Sequence, residues 1–534
     1  MAVSLDEFMP RRAYNAVSDF VDANVARGLG GKVAFVDEKR KLTYGDLQQE
    51  TARLAGGLLT LDLKQESRIA LLLLDSVDYP IAFWGAIRAG VVCIPLNTLL
   101  TAEQYAYILD DSRVAAIFVS PALAKTIAPI LNRLPHLRTL VIVGGSAADK
   151  AIFPGHEVHL FEELLTRGKP ELKPAPTISD EIAFWLYSSG STGEPKGTKH
   201  LHSSLIATAK LYGQNVLGIR NDDVVFSAAK IFFAYGLGNA MSFPMSVGAT
   251  TVLFAGRPTP EAVFEVMRRE RPTIFYGVPT LYAAMLAHKE LTRGAGSDRL
   301  RICVSAGEAL PSHVGERWRE AVGADILDGI GSTEMLHIFV SNAPKDIRYG
   351  SSGKPVPGYD AKILGEDGHE VKTDEIGELV IRGPSAAEGY WNQRTKSRRT
   401  FAGEWTYTGD KYTRDKDGYY HYAGRTDDMF KVSGIWVSPF EVEAALTSHE
   451  AVLEAAVIGE EDDDKLIKPK AFIVLKPGFA ADERLFETLK AHVKAKAGTW
   501  KYPRWIEVRA ELPKTATGKI QRFKLRQENA AKSA

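Results

Sequence analysis

The chain has 534 residues, of which 45% are hydrophobic and 25% are charged, so it is long enough for two or more globular domains. Sixty-six basic residues balance sixty-six acidic residues, and this neutral total gives no electrostatic reason to expect binding to nucleic acid or to an anionic membrane. Two cysteines exclude a disulfide framework and offer no metal-ligand spacing, so both are predicted to be small buried apolar groups.

We expect no targeting segment in this sequence. The N-terminus contains Asp6, Glu7 and Asp19 and lacks the apolar run of a signal peptide. The most apolar stretch, residues 69–94, is interrupted by charged residues and a proline, which argues against a membrane span. We therefore expect a cytoplasmic enzyme.

The first part of the chain alternates predicted strands with predicted helices. Thr43 and Thr101 are each followed three residues later by an acid or an amide, the pattern of a helix-capping box. Continuous apolar runs with the character of buried strands separate the helical segments. This alternation predicts mostly parallel sheets with helices on both faces. The predicted strands span residues 32–37, 68–74, 91–94, 114–119 and 182–187, and the predicted helices span 43–63 and 78–89.

The character of the sequence changes twice towards the C-terminus. Residues 353–428 contain short strands and glycine turns, which predicts a small β-rich subdomain. A compact α+β tail follows, with predicted helices at 439–446 and 483–497 and predicted strands at 453–458, 471–475 and 504–508. The predicted fold class is therefore α/β: a large N-terminal domain (1–426) with stacked α/β sheets and the β-rich subdomain, and a small mobile α+β C-terminal domain (427–534).

A glycine- and hydroxyl-rich loop follows the apolar strand that ends near Tyr187. It reads Ser188-Ser189-Gly190-Ser191-Thr192-Gly193-Glu194-Pro195-Lys196-Gly197. Glycines and small side chains let the backbone turn tightly and direct its N–H groups at an anion, and the hydroxyls and Lys196 add donors for phosphate oxygens. The loop lacks the Walker spacing, so a different grip on a triphosphate is predicted.

This loop resembles the phosphate loop of the adenylate-forming superfamily, which includes acyl-CoA synthetases, adenylation domains of peptide synthetases and luciferases. Further segments match that superfamily in the same order. They are Ser305-Ala306-Gly307-Glu308, Asp328-Gly329-Ile330-Gly331-Ser332-Thr333-Glu334, Tyr407-Thr408-Gly409-Asp410, Gly424-Arg425-Thr426-Asp427-Asp428 with Lys431-Val432-Ser433-Gly434, and Pro513-Lys514-Thr515-Ala516-Thr517-Gly518-Lys519. The resemblance covers essentially the whole chain.

The resemblance implies a nucleotide site for ATP with Mg²⁺. Glu334 would help to hold the metal, a hard cation suited to oxygen ligands, and Asp410 would accept hydrogen bonds from both ribose hydroxyls. Lys519 would stabilise the charge when a carboxylate attacks the α-phosphate, and Thr192 would assist it. The implied ATP contacts are Ser188, Ser189, Gly190, Ser191, Thr192, Gly193, Lys196, Ala306, Gly307, Glu308, Asp328, Gly329, Ile330, Gly331, Thr333, Asp410 and Arg425.

The resemblance also implies a second half-reaction, in which the acyl group passes to a thiol. Asp427 would be the hinge on which the C-terminal domain changes orientation, presenting Lys519 in the first step and the CoA-binding face in the second. That face would comprise Lys431, Ser433, Gly434 and Trp436. A homodimer is the one assembly that we consider for the chain.

Two segments, Ile231–Gly238 and Met335–Phe339, are similar to the acyl pocket of the benzoate–CoA ligase family and its hydroxybenzoate relatives. By that resemblance Phe233 would be an aromatic gate, and Ala234, Tyr235, Gly329, His337 and Ile338 would line the ring. Aromatic walls suit a flat substrate, and benzoate is the first choice, ahead of 4-hydroxybenzoate and other small aryl acids. His337 fits a neutral wall, a donor to a ring hydroxyl or a satisfied core group.

Two other functions remain as alternatives. One is an adenylation enzyme that loads a small acid onto a carrier protein, although the chain contains no evident carrier domain. The other is a nucleotide-binding regulatory protein without turnover, against which Lys519 argues, because a binding module needs no acid-activating lysine.

Overall fold

A computed structural model describes residues 11–188, 194–432, 435–462, 466–498, 501–514 and 520–533. These residues form two compact units. The first unit contains residues 11–188, 195–361 and 381–406, and the second contains Glu194, residues 362–380 and the described residues from 407 onwards. Residues 407–426 thus belong to the second unit, so this division lies earlier in the chain than the predicted hinge at Asp427, and rotation about Asp427 stays a prediction.

The strands up to residue 355 all lie in the first unit. They are β1 (Val33–Val36), β2 (Lys41–Thr43), β3 (Arg68–Leu72), β4 (Val92–Pro95), β5 (Ala116–Val119), β6 (Thr139–Ile142), β7 (Glu157–Leu160), β8 (Ile182–Ser188), β9 (Lys196–Leu201), β10 (Val224–Ser227), β11 (Thr250–Val252), β12 (Ile274–Gly277), β13 (Ile302–Ser305), β14 (Ile326–Gly331), β15 (Ile338–Ser341) and β16 (Lys354–Pro355). The later strands are β17 (Asp360–Leu364), β18 (Gly377–Arg382), β19 (Gly389–Tyr390), β20 (Phe401–Ala402), β21 (Trp405–Arg414), β22 (Tyr420–Arg425), β23 (Phe430–Val432), β24 (Ile435–Val437), β25 (Val452–Glu461), β26 (Ile467–Leu475) and β27 (Trp505–Val508).

The helices separate these strands along most of the chain. They are α1 (Tyr44–Leu59), α2 (Asp78–Arg88), α3 (Ala102–Ser112), α4 (Pro121–Ile127), α5 (Phe161–Arg167), α6 (His202–Thr208), α7 (Ala234–Leu237), α8 (Phe243–Val247), α9 (Pro260–Glu270), α10 (Pro279–Leu286), α11 (Ser312–Val322), α12 (Arg394–Thr400), α13 (Pro439–Thr447), α14 (Glu483–Ala497) and α15 (Arg522–Ser533). Short 3₁₀ or π-helical segments span Ser18–Asp22, Val25–Leu29, Ala128–Arg133, Ala147–Ile152, Ala209–Gln214, Gly238–Ser242 and Arg293–Gly296. None of the helices in the described ranges is both long enough and apolar enough to cross a membrane.

Two large sheets organise the first unit. One has nine strands in the order β16-β15-β14-β13-β12-β10-β11-β1-β2, and its pairs from β14 to β1 are all parallel. The other has eight strands in the order β19-β9-β8-β4-β3-β5-β6-β7, with parallel pairs from β8 to β7. The prediction of mostly parallel sheets in an α/β fold is confirmed.

Local sequence signals explain where the first helices begin. The Thr43 hydroxyl accepts a hydrogen bond from the Asp46 amide at 3.1 Å, and the Asp46 carboxylate accepts one from the Thr43 amide at 3.1 Å. Thr101 and Gln104 form the same reciprocal pair at the start of α3. Each cap stabilises its helix by about 1 kcal/mol. Both predicted capping boxes are confirmed.

The buried cores follow the apolar strands. One core cluster packs the parallel strands β3 to β6 against α3 and α4, and a second packs β10 and β12 to β14 against α9 to α11. Cys93 and Cys303 are both 0% exposed, and burial raises the pKa of each thiol, to about 12 for Cys303. Both cysteines are therefore buried apolar groups, as predicted.

The second unit is built from short strands and an α+β tail. It contains the greater part of β17, β18 and β21 and all of β22, which pairs with β21. In the tail, α13 and α14 cover the three-stranded sheet β25-β26-β27, with Leu446, Val457 and Leu489 fully buried between them. The bounds of α14 are those predicted from the sequence.

Candidate functional site

Two of the predicted nucleotide segments, residues 305–308 and 328–334, lie at one edge of the nine-stranded sheet. Gly277, Ser305 and Asp328 are register partners at the carboxyl ends of the parallel strands β12, β13 and β14. Residues 306–308 leave the end of β13, and residues 328–331 form the end of β14. The carboxyl edge is where open α/β sheets bind their ligands. The structure therefore brings Ala306, Gly307, Glu308, Asp328, Gly329, Ile330 and Gly331 to an edge of the expected kind.

Glycine is needed at three positions of this edge for different structural reasons. Gly307 has φ = +95°, a conformation that favours glycine. A Cβ at Gly329 would lie 2.8 Å from the Val340 carbonyl oxygen, and one at Gly331 would lie 2.7 Å from the backbone of His337. Gly329 and Gly331 thus make room for β15 and for the residue that precedes it, whether or not a ligand is bound.

Asp328 is buried at the same edge. Its Oδ2 accepts a hydrogen bond from the Leu310 amide at 3.3 Å. Burial raises the pKa of this carboxyl group to about 8, although the Leu310 amide opposes the shift. Beyond it Ile330 pairs with Val340, and Thr333 lies half-buried in the turn that leads to Glu334.

The phosphate loop is closed by a hairpin. Ser188 at the end of β8 is the register partner of Lys196 at the start of β9. The Lys196 side chain is 18% exposed and lies 3.6 Å from the carboxylate of Glu334, which is 17% exposed. The structure thus places the predicted phosphate lysine beside the predicted metal-binding carboxylate.

Tyr390 completes this pair, and the sequence analysis missed it. Its hydroxyl donates to Glu334 Oε1 at 2.7 Å and accepts from Lys196 Nζ at 3.2 Å. The Lys196 ammonium also lies 4.3 Å from the centre of the Tyr390 ring. The aromatic run Gly389-Tyr390-Trp391 indicates a buried strand, but nothing local to it indicates a partner almost 200 residues earlier.

The predicted acyl wall forms a cluster of aromatic rings. The His337 ring lies 5.6 Å from Tyr235, 5.5 Å from Tyr212 and 4.4 Å from Phe243, measured between ring centres. The Tyr235 hydroxyl donates to the carbonyl oxygens of Val304 and Gly277 at 3.0 and 3.2 Å. Tyr235 is thereby fixed to the carboxyl edge of β12 and β13.

His337 is a neutral, hydrogen-bonded group. It is 3% exposed, and burial lowers its pKa to about 3. Its Nε2 lies 3.2 Å from the Tyr235 carbonyl oxygen and 3.2 Å from Asn239 Oδ1. Both partners are acceptors in this arrangement, which assigns the ring proton to Nε2. Donation from Nε2 to a ring hydroxyl is therefore disfavoured, and Asn239 joins the site as a residue that the sequence analysis missed.

The remaining predicted pocket residues adjoin this cluster. Phe233 and Ala234 immediately precede Tyr235, where the chain enters α7, and both are half-buried. Ile338 begins β15 and is 1% exposed. Its Cγ2 lies 2.9 Å from where a Gly329 Cβ would stand, so Ile338 occupies the space that this glycine leaves.

The predicted ribose and CoA residues lie in the second unit. Asp410 and Arg425 are register partners on β21 and β22, with Arg425 Nη1 2.9 Å from Asp410 Oδ1. Lys431 and Trp436 are cross-strand partners in the β23–β24 hairpin, and the Lys431 ammonium lies 4.6 Å from the centre of the indole ring. Asp427 follows β22 in a turn.

Several predicted residues lie outside the described ranges. They are Ser189, Gly190, Ser191, Thr192, Gly193, Ser433, Gly434 and Lys519. Their roles stay predictions.

The described residues fit a magnesium ion held together with a nucleotide. Within the described ranges no group of three or more His, Cys, Asp or Glu side chains is arranged to hold a metal by itself. Mg²⁺ bound with ATP needs only one or two carboxylates besides phosphate oxygens and water. Glu334, hydrogen-bonded and next to the phosphate-loop lysine, provides such a carboxylate.

Comparisons with known proteins agree with this geometry. The AMP-binding enzyme family matches residues 22–391, and the AMP-binding enzyme C-terminal domain matches residues 441–519. A 4-hydroxybenzoate–CoA/benzoate–CoA ligase of Rhodopseudomonas palustris is 55% identical over 97% of this chain and 95% of its own length. The crystal structure of a benzoate CoA ligase from Burkholderia xenovorans is 50% identical, with a TM-score of 0.87 over 96% of this chain and 100% of its own. The crystal structure of an anthranilate CoA ligase in complex with anthranoyl-AMP is 43% identical, with a TM-score of 0.92 over the full length of both chains. The chain therefore belongs to the adenylate-forming AMP-binding enzyme family, within its benzoate–CoA ligase group.

Proposed function

We propose that the protein is an aryl-CoA ligase that converts benzoate, ATP and CoA into benzoyl-CoA, AMP and pyrophosphate through a benzoyl-adenylate. The observation that carries this proposal is that residues 328–338 contain three predicted parts of the site. This one segment runs from the buried end of β14, which carries predicted ATP contacts, through the carboxylate of Glu334, to the aromatic wall at His337. A nucleotide, its metal and a flat acid would all be held by one short stretch of chain.

In the first step a carboxylate oxygen of the acid attacks the α-phosphorus of ATP, and pyrophosphate leaves. Lys196 and the phosphate-loop amides would bind the phosphate oxygens, and Glu334 would hold Mg²⁺, which shields the charge of the leaving pyrophosphate. Lys519 would supply the cation at the reacting oxygens. Asp410 would hold the ribose hydroxyls, with Arg425 fixing its carboxylate in place.

In the second step the thiol sulfur of CoA attacks the acyl carbon, and AMP leaves with the bond electrons. Lys431 and Trp436 would lie along the CoA path, with Ser433 and Gly434 between them in the chain. A rotation of the C-terminal domain at Asp427 would replace Lys519 with this CoA-binding face, so that one active site serves both steps. The similarity to ligases named for CoA favours free CoA over a carrier protein as acceptor.

The pocket favours an unsubstituted ring as the first choice. The His337 Nε2 proton already serves Tyr235 and Asn239, so no donor from this imidazole remains for a ring hydroxyl. The neutral Nδ1, with no partner among the described residues, leaves only an acceptor. Benzoate therefore ranks ahead of 4-hydroxybenzoate, which is the second candidate. A hydrogen bond donated by the ring hydroxyl of 4-hydroxybenzoate to His337 Nδ1 would favour that acid instead.

A panel of aryl and aliphatic acids tests the proposal. Each acid is assayed for pyrophosphate release without CoA and for AMP and thioester formation with CoA. Benzoate should give the highest kcat/KM, and an aliphatic acid of similar mass a far lower one. Absence of a thioester with every small aryl acid would refute the proposal.

Two variants assign the roles within it. Lys519→Ala should remove most adenylate formation but leave thioester formation from supplied benzoyl-AMP largely intact, and equal loss of both steps would contradict the two-orientation scheme. Ala234→Leu should narrow the range of ring substituents accepted, and an unchanged substrate profile would overturn the placement of Ala234 in the pocket.

A further inference from the structure

Tyr390 is fixed at the base of the phosphate loop by its backbone. The short strand β19 adds to the eight-stranded sheet beside β9, with Tyr390 opposite Thr198. The Trp391 amide donates to the Gly197 carbonyl oxygen at 2.8 Å, and the Tyr390 amide donates to the Ser397 hydroxyl at 3.0 Å. These backbone hydrogen bonds hold Tyr390 next to β9.

The same segment also holds the backbone of Glu334. The Ala387 amide donates to the Glu334 carbonyl oxygen at 2.8 Å. Next to it, the Ser385 hydroxyl donates to the carbonyl oxygen of Met335 at 2.7 Å. Residues 385–391 therefore link β9, which starts with Lys196, to the turn that carries Glu334.

The Tyr390 hydroxyl lies between the two charged groups. It receives a hydrogen bond from the Lys196 ammonium at 3.2 Å and donates its own proton to Glu334 at 2.7 Å, with Thr400 Oγ1 farther away at 3.4 Å. The direct distance from the ammonium to the carboxylate is 3.6 Å, longer than a charge-assisted hydrogen bond. Without the hydroxyl, the two opposite charges would close into a direct ion pair.

We infer that Tyr390 is a positioning residue of the adenylation step, one that keeps Glu334 oriented for Mg²⁺ and leaves Lys196 available for phosphate. Its hydroxyl satisfies one carboxylate oxygen and restrains the lysine through a single, exchangeable hydrogen bond. When the magnesium–nucleotide complex binds, Lys196 can pass from the phenol oxygen to a phosphate oxygen, while Tyr390 still donates to Glu334. This inference rests on the proposed roles of Glu334 and Lys196.

Tyr390→Phe tests it, because the variant keeps the ring and removes only the hydroxyl. We expect kcat/KM for magnesium–ATP in benzoyl-adenylate formation to fall about tenfold, the loss that goes with one hydrogen bond to a charged group. The Mg²⁺ concentration for half-maximal rate should rise several-fold, and excess Mg²⁺ should restore part of the rate. Thioester formation from supplied benzoyl-AMP and CoA, which needs neither Mg²⁺ nor pyrophosphate release, should change less than about twofold.

Tyr44→Phe is the matched control. Tyr44 is also buried, and its hydroxyl donates to the Ala249 carbonyl oxygen at 2.7 Å. It should lower thermal stability without moving the Mg²⁺ requirement. If Tyr390→Phe lowered both half-reactions equally, or left the Mg²⁺ dependence at the wild-type value, the positioning role would be wrong. Failure of the wild-type protein to form benzoyl-adenylate would instead refute the proposed function.

Discussion

Arg425 and Asp410 face each other across two paired strands, and Arg425 Nη1 donates to Asp410 Oδ1 at 2.9 Å. Arg425 also donates to the carbonyl oxygen of Thr408, two residues before Asp410, at 3.2 Å. The neighbouring carboxylate raises the pKa of the guanidinium, so the arginine stays charged at every working pH. One side chain therefore fixes both the backbone and the carboxylate of the predicted ribose site.

Asp410→Asn should weaken nucleotide binding without loss of the fold. The amide oxygen can still accept from Arg425, but the charge that strengthens hydrogen bonds from ribose hydroxyls is lost. We expect KM for ATP to rise about tenfold, with a smaller change in KM for benzoate. Initial rates of pyrophosphate release measure both constants.

Asp374→Asn controls for the general effect of removing one acid from the same unit. Asp374 is exposed and has φ = +65°, a conformation that asparagine adopts readily. Its KM values should equal those of the wild type. An equal rise of KM for ATP in both variants would rule out a ribose role for Asp410.

Gly238→Ala should disturb the aryl pocket through His337. A Cβ at residue 238 would come within 2.7 Å of His337 Nε2 and 3.0 Å of the Phe243 ring, in a region that is fully buried. The imidazole must then move and weaken its hydrogen bonds to Tyr235 and Asn239. We expect about 1–3 kcal/mol lower free energy of unfolding and a higher KM for benzoate at an unchanged KM for ATP.

Gly31→Ala is the control for this substitution. Nothing lies within 4 Å of where its Cβ would stand, and its φ is not positive. Urea unfolding and the two KM values should all match the wild type. If Gly238→Ala kept the wild-type KM for benzoate, the ring wall would have to lie elsewhere.

Much of the fold follows from local sequence signals. The capping boxes at Thr43 and Thr101 place the starts of α1 and α3, and α14 has the predicted bounds because Asp482 caps it and Gly498 follows it. The ends of the predicted strands lie within four residues of those observed, because apolar runs mark burial but not the hydrogen bonds that end a strand. β25 and β26, for instance, extend well beyond their apolar cores into charged residues.

The site residues that the sequence did not reveal depend on long-range pairing. Tyr390 reaches Lys196 only because β19 adds to β9, and Asn239, in a short π-helical segment, reaches His337 just before β15 only through the tertiary fold. No sequence pattern near Tyr390 or Asn239 indicates the residue that each of them contacts. The reason for Gly329 and Gly331 also came from tertiary packing, since β15 pairs beside β14 and a Cβ at either glycine would clash with it or with the residue before it.

Arg522→Met should destabilise the second unit. Arg522 makes two hydrogen bonds to Glu443, of which the shorter is 2.6 Å, and lies 3.3 Å from Asp428. Glu443 is only 6% exposed, so the variant leaves a carboxylate buried without its main cation. We expect a loss of about 3 kcal/mol in the free energy of unfolding by urea.

Arg504→Met is the control for that loss, since Arg504 is exposed and its guanidinium lies over the Tyr502 ring. Arg504→Met should lower the free energy of unfolding by at most about 1 kcal/mol. Similar costs for the two variants would show that the Glu443 pair contributes no more than a surface contact. Because Asp428 directly follows the predicted hinge and α15 directly follows the Lys519 segment in sequence, this ion-pair group also joins two parts of the proposed two-step mechanism.

Three buried histidines predict that the first unit loses stability in mild acid. Burial lowers the pKa to about 4 for His200 and His202 and to about 3 for His337. The ordinary value is near 6.5, so each stays neutral in the fold while its unfolded counterpart takes up a proton. The stabilising contribution of each neutral imidazole is therefore complete above about pH 6.5 and is lost as the pH falls towards 4.

His202→Asn should make this loss smaller. The His202 Nδ1 accepts a hydrogen bond from the Ala16 amide at 3.2 Å, and an asparagine oxygen can stand in its place without titrating. Because each of these histidines takes up a proton only on unfolding, each should lower the free energy of unfolding of the wild type by about 2 kcal/mol between pH 7 and pH 5. Urea midpoints at those two pH values, compared between wild type and variant, isolate one such contribution from that of the carboxylates common to both proteins. A variant whose unfolding free energy fell as far as that of the wild type would show that His202 is protonated in the native state, and the buried neutral imidazole would have to be abandoned.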